Sequence, residues 1–274
     1  MVTESGINWR TPEALVTLGF EQSRVVLMNE AHNGWQRCVR TRLVGQRILP
    51  SAHAAGARHL AMEALQPAYV EDANRTRQAP AVWAGYLGQP EMRALVQAAL
   101  DLGWMLWAYE ADLNRWLAER HGLTLPHAGE SPAAVLGPLL QPYQAELRSI
   151  DFTNWREEEQ ARNLTGILAT LPDNAKLLVW CGNGHLTKIA TQGWLPMGYH
   201  LSQQGVAPFV IDQTRTVNFG TDHDSPRGAL VERFRADLEA RGGTAGWLSA
   251  EAPADAPPAF GADAVVLSLD NNLE

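Results

Sequence analysis

Short runs rich in Val, Leu and Ile recur along the chain, separated by longer stretches with helical spacing. The pattern predicts strands over residues 24–29, 59–64, 104–109, 176–181, 208–212 and 264–269. Several of these runs are apolar at every position. Strands read this way when helices cover both faces of the sheet, which points to a parallel or mostly parallel arrangement. Helices are predicted over 35–49, ended by Pro50; over 91–102; over 152–171, ended by Pro172; and over 229–240, ended by Gly242 and Gly243. The stretch 65–150 differs, because one strand candidate sits there among helical pieces and Pro/Gly-broken loops, as expected of a helical elaboration over the sheet. Residues 251–258 form an Ala/Pro-rich linker to the last strand. No internal repeat or heptad pattern is visible. The expected fold is therefore α/β in three layers: a mostly parallel central sheet flanked by helices, with a helical elaboration in the middle of the chain.

Composition narrows the class without naming a function. Of 274 residues, 46% are hydrophobic and 19% charged, the balance of a globular chain. At this length roughly 75% of the unfolded surface can be buried, so no disulfide or metal staple is needed. The formal net charge of −8, with no clustered basic segment, speaks against nucleic acid as a partner. Cys38 and Cys181 lack CxxC spacing, and no 18-residue apolar run or signal-peptide pattern occurs, so a cytoplasmic protein without membrane contact is expected. Trp is unusually frequent, at 10 residues, and four of them (Trp35, Trp107, Trp155 and Trp180) lie beside the stretches that carry candidate chemistry.

In open α/β sheets, ligands sit beyond the carboxyl ends of the strands. There the first predicted strand runs into Asn29, Glu30 and His32, the second into Glu63, the third into Glu110 and Asp112, and the fourth into Gly182, Asn183, Gly184 and His185. Taken singly, each could be a helix cap or a solvated loop residue. If the strands are neighbours, these groups converge, and crowded carboxylates and imidazoles shift one another's pKa as proton transfer requires. Gly182-Asn183-Gly184 is not a dinucleotide loop, since Thr187 stands where a third glycine is needed. No serine lies in Gly-x-Ser-x-Gly. Cys181 near His185 admits Cys-His catalysis, but a cysteine closing an apolar strand reads first as a core thiol. Two chemistries remain: a His activating water, or a divalent metal held by His32, His185 and carboxylates.

These residues resemble the erythromycin esterase-like hydrolases, a family that shares a superfamily with haem-uptake lipoproteins and Tiki-type proteases. Residues 25–32 (VVLMNEAH) are similar to the family's strand and Gly-Glu-x-x-His loop, and Ala61-Met62-Glu63 to its second-strand glutamate. Residues 156–163 (REEEQARN) resemble its Arg-Asp-x-x-Met-Ala-x-Asn helix, and residues 176–185 its Trp-Ala-His-Asn-x-His strand end. Residues 196–201 resemble its Met-Gly-x-x-Leu helix start, and 262–266 its closing strand. The chain departs from the pattern at Asn29 in place of Gly, at Gly182 in place of the first paired His, and by one residue fewer between Glu30 and His32. Glu157 and Gln160 stand for Asp and Met.

The resemblance implies a single erythromycin esterase-like domain over residues 1–274, with helical cover at about 65–150. His32 would be the base that activates water on an ester or lactone of a small molecule. Glu30, Glu63 and His185 would orient the water and stabilise the transition state. Arg42 (or Arg40), Glu110, Arg156, Asn183 and Trp35 would contact substrate, and no cofactor is implied. A metal-dependent hydrolase or lyase at the same cleft, and a non-catalytic protein binding haem or another small molecule, stay open beside it.

Overall fold

The computed structural model describes residues 7–30, 35–81, 86–124, 133–182, 184–213, 233–252 and 261–269. The strands are β1 (Val25–Glu30), β2 (Ala57–Met62), β3 (Met105–Ala108), β4 (Lys176–Gly182), β5 (Phe209–Asp212), β6 (Thr244–Leu248) and β7 (Ala264–Ser268). They form one seven-stranded sheet in the order β3-β2-β4-β1-β5-β7-β6, parallel throughout except for β6, which runs antiparallel to β7. The expected α/β class is thus the observed one.

Continuous apolar runs arise because alternate side chains of one strand feed two different cores. From β1, Val26 and Met28 join Leu60, Leu178 and Phe209 beneath α1 (Pro12–Gln22), α2 (Trp35–Ala54) and α4 (Pro90–Asp101). Val25 and Leu27 join Val179 and Val210 beneath α7 (Ile150–Thr170) and α8 (Met197–Gln203). Every residue of β1 is buried. The connection from β1 leads to one side, to β2, and that from β4 to the other, to β5. The carboxyl ends of β1 and β4 therefore flank the switch point, where an open sheet forms its ligand crevice.

The middle of the chain carries α3 (Pro67–Thr76), α4, β3, α5 (Leu113–His121) and α6 (Ala133–Leu140). Of these, α4 covers the sheet, whereas α5 and α6 build a satellite cluster in which Trp116 packs on Phe152 and Trp155.

Three sequence readings need correction. Helix α2 does not stop at Pro50 but continues to Ala54. Pro50 faces solvent, while Ile48, Leu49 and Ala52 on the same turns are fully buried. Burial of the two larger side chains, at about 1.5–3 kcal/mol each, offsets the roughly 3 kcal/mol of an interior proline. Strand β6 went unread because its sequence, TAGWL, has little β-branched character. It is an edge strand held by pairing to β7 and by Trp247, which meets Trp9 and Phe234 edge to face. Helix α1, capped by Thr11 accepting from the Ala14 N–H at 3.2 Å, was likewise unread. The helix expected over 229–240 is described as α9 (Arg235–Glu239); its expected start lies outside the described residues.

Gly246 makes the close approach of β6 possible: a Cβ there would stand 2.2 Å from the Val265 carbonyl oxygen. Gly246→Ala is expected to lower stability by about 1–3 kcal/mol, read as a fall in the thermal midpoint by circular dichroism.

Candidate active site

The side chains at the carboxyl edge of the sheet divide between its two faces. Glu30, the last residue of β1, points toward α2. Its carboxylate accepts from Arg42 Nε at 2.7 Å and Nη2 at 3.1 Å, a bidentate pair whose side chains are 3% and 0% exposed. The Trp180 indole also donates to Glu30, at 3.1 Å, and Arg42 Nη1 donates to Gln89. Of Arg40 and Arg42, the second is therefore the one that meets Glu30.

On the opposite face, Glu63 accepts from Arg156 Nη2 at 2.6 Å and from the Gly182 N–H at 2.7 Å. The same guanidinium grips Glu110, through Nε at 2.9 Å and through Nη2, and Gln160 donates to both Glu110 oxygens at 3.1 Å. Arg156 Nη1 has no partner among the described residues, and the side chain is 28% exposed. His185 lies beside this network with Nε2 3.8 Å from Glu63. Its Nδ1 is 2.8 Å from Glu157, an ion-pair contact off the ideal N–H direction. Trp180 joins the two faces: its carbonyl accepts from the Glu63 N–H and the Tyr109 hydroxyl, while its indole reaches Glu30. A narrow cleft opens between Glu30, Glu63, Met92, Trp180 and Gly182.

Burial alone would raise the Glu63 pKa, but the charges of His185 and Arg156, with the Gly182 N–H, outweigh it and hold the carboxyl at about 2. Burial would lower that of His185; contact with Glu157 and the charge of Glu63 overcome burial and the opposing Arg156, so the imidazole is raised above its ordinary value. Burial pushes the Cys181 thiol well up, reinforced by Glu63 and Glu157, which removes it as a thiolate nucleophile.

No protein-family model matches the sequence, and no match was found among the curated proteins. Among solved structures the chain is similar to an erythromycin esterase, EreC, in its open conformation, with TM-score 0.52, 15% identity, and 96% of this chain and 98% of that one covered. The type III effector HopBA1 aligns with TM-score 0.50 at 16% identity, over 98% of this chain and 100% of that one. At such identities these likenesses show a shared fold. The chain also aligns with bacterial protein toxins at TM-score 0.44 and 13% identity, through 75% of its own length, but it spans only 37% of theirs.

The structure thus brings Glu63, Glu110, Arg156 and His185 together on one face and Glu30 with Arg42 on the other. His32 and Asn183 lie outside the described residues, as does the side chain of Trp35, which opens α2. Asp112 is not in the cluster; it caps α5 by accepting from the Asn114 N–H at 3.0 Å. Of the Trp residues expected as walls, Trp180 touches the site, Trp155 belongs to the satellite cluster, and Trp107 donates to His59 at 3.2 Å. Two residues the sequence reading passed over complete the cluster: Glu157, and Trp194, whose indole donates to it at 3.0 Å. The REEEQARN stretch contained the signal for Glu157, since residues one helical position from Arg156 share its end of the helix. Two of the departures from the pattern the sequence resembles, at Asn29 and Gly182, sit within hydrogen bonds. Asn29 donates to Asp212 at 2.9 Å and accepts from the Gln213 N–H at 2.9 Å, and Gly182 serves Glu63 through its backbone.

Arg42→Met would leave the Glu30 carboxylate buried without its guanidinium, an expected loss of about 3–5 kcal/mol in chemical denaturation, largely recovered in the double variant with Glu30→Gln. Arg75→Ala, which breaks the exposed pair with Asp72, should change stability by no more than about 0.5 kcal/mol. Glu63, ordinarily near 4.5, stabilises the folded state above that value, and this contribution fades as pH falls toward 2. His185, ordinarily near 6.5, stabilises it below that value, and the contribution is lost as pH rises through its raised folded value. Glu63→Gln should flatten the acid limb of the pH–stability curve and His185→Asn the alkaline limb.

Proposed function

We propose that the protein hydrolyses an ester or lactone of a small molecule, with a water molecule activated by His32. The observation that carries this reading is the state of the charged groups at the strand ends. Glu30 is committed to Arg42, Glu63 to Arg156 and the Gly182 N–H, and Glu110 to Arg156 and Gln160. Glu63, held far below neutrality, is a poor proton acceptor at neutral pH, and all three carboxylates are engaged with donors. They suit a second task, fixing the cations that face a reacting carbonyl. A raised His185 offers an N–H through Nε2, and Arg156 offers Nη1. The base is then assigned to His32, which follows Glu30 by two positions and matches the base of the family the sequence resembles.

In this mechanism water adds to the carbonyl carbon while its proton passes to His32. His185 and Arg156 stabilise the tetrahedral oxyanion. Its collapse breaks the bond to the leaving oxygen, which takes the proton back from His32. No bond to the protein forms. The narrow cleft, in which Met92 and Trp180 stand beside the carboxylates of Glu30 and Glu63, suits a compact substrate.

Among the described residues, no group of three His, Cys, Asp or Glu side chains is placed to hold a metal ion. No described helix is long and apolar enough to cross a membrane.

The test is hydrolysis of a panel of chromogenic aryl esters and small lactones. His32→Ala is expected to lower kcat/KM by about 10²–10⁴ with an unchanged thermal midpoint, and activity should survive chelators. Full activity of His32→Ala, or activity abolished by chelation and restored by a divalent ion, would overturn the proposal.

A further inference from the structure

The loop after β4 is fastened to α7 by Asn154 and by one buried carboxylate, Glu157. Glu157 is 1% exposed. Its Oε1 accepts from the Trp194 indole at 3.0 Å and lies 2.8 Å from His185 Nδ1, while Oε2 accepts from the Met197 N–H at 2.7 Å. Asn154, one turn earlier on α7, accepts from the Leu195 N–H at 2.8 Å and donates to the Gly193 carbonyl at 2.7 Å. The loop is therefore already tied down by Asn154, and Glu157 adds something Asn154 does not: a formal negative charge against the ring of His185.

We infer that Glu157 is the positioning residue for His185: its carboxylate, 2.8 Å from Nδ1 though off the ideal N–H direction, favours the proton on that nitrogen and leaves Nε2 turned toward Glu63. The groups facing His185 are Glu157 and Arg156 from α7 and Glu63 beyond the end of β2. Glu63, at 3.8 Å from Nε2, is itself held by Arg156 and the Gly182 N–H, and so leaves Nε2 available to a ligand oxygen. In a histidine, the partner of one ring nitrogen decides what the other can do. A carboxylate at Nδ1 makes Nε2 a donor when the ring is charged and prevents the neutral ring from moving its proton to the cleft side. The inference rests on the hydrolase reading for its catalytic meaning, but the orientation of the ring is a property of the protein alone.

Ring ¹⁵N spectra of histidine-labelled protein, with His185 assigned from His185→Asn, test it without substrate. In the unsubstituted protein at alkaline pH, the neutral His185 ring should carry its proton on Nδ1; the common Nε2–H form would overturn the inference. Glu157→Gln should lower the pH at which the His185 ring takes up its second proton, and Glu157→Asp should keep most of the raised value. Trp194→Phe, which removes one loop contact and leaves the carboxylate, should lower the thermal midpoint and leave the His185 signals in place. Unchanged signals in Glu157→Gln, or the same lowering in Trp194→Phe, would reduce Glu157 to a loop anchor and contradict the inference. In ester turnover, Glu157→Gln should lower kcat by about 10–100-fold with little change in KM, the scale known for removing the carboxylate partner of a metal-ligating histidine. A protein that hydrolyses no ester but shows the Nδ1–H ring would overturn the hydrolase reading and leave the positioning role standing.

Discussion

A carboxylate drawn from solvent must find donors or cations, and that requirement organises this molecule. Glu30, Glu63, Glu110 and Glu157 stand at or beside the carboxyl edge of a sheet covered on both faces. An ion left alone there would cost several kcal/mol. Arg42, Arg156 and His185 meet them, and the three come from three places: α2, α7 and the loop after β4. The positions of those elements over the sheet are thus tied to its charges as well as to the apolar cores beneath. Because Glu30 and Glu63 extend toward opposite faces, each face needs its own arginine, and Trp180 is the residue that connects them.

The shared fold does not decide the chemistry. An erythromycin esterase and a type III effector align with this chain at comparable TM-scores, and one architecture commonly hosts unrelated activities. What distinguishes this chain is local. Asn29 ties the end of β1 to the end of β5, and Gly182 presents a backbone N–H to Glu63. Both positions differ from the pattern the sequence resembles; Asn29 braces the strand end through its side chain, whereas Gly182 acts through a backbone N–H that any residue but proline would offer.

Much of the sheet could be read from the sequence, because β1, β4, β5 and β7 are largely apolar runs rich in Val, Leu and Ile, and burial on both faces leaves that mark. Strand β6 carries no such mark: TAGWL is stabilised by a partner strand and by distant aromatic rings, which a local pattern does not contain. Pro50 misled for a similar reason, since the apolar face that holds its turn in place belongs to the tertiary core. At the site, the strand-end rule singled out Glu30, Glu63, Glu110 and His185. It could not say which arginine meets which carboxylate, because that depends on the face each side chain takes. Glu157 and Trp194 were hidden because they act across elements, in a contact between α7 and a loop about 40 residues further on. Tryptophan frequency was a weak guide, for Trp155 lies in the satellite cluster while Trp194 reaches the site's own carboxylate.

The central claim is that the cations fixed by these carboxylates face a reacting carbonyl. A crystal structure with a small alkyl phosphonate ester, a stable mimic of the tetrahedral intermediate, tests it most directly. The account predicts a phosphoryl oxygen within hydrogen-bond distance of His185 Nε2 and Arg156 Nη1, with the Arg156 contacts to Glu63 and Glu110 intact. A phosphonate bound elsewhere, or one that draws Arg156 away from both carboxylates, would contradict it.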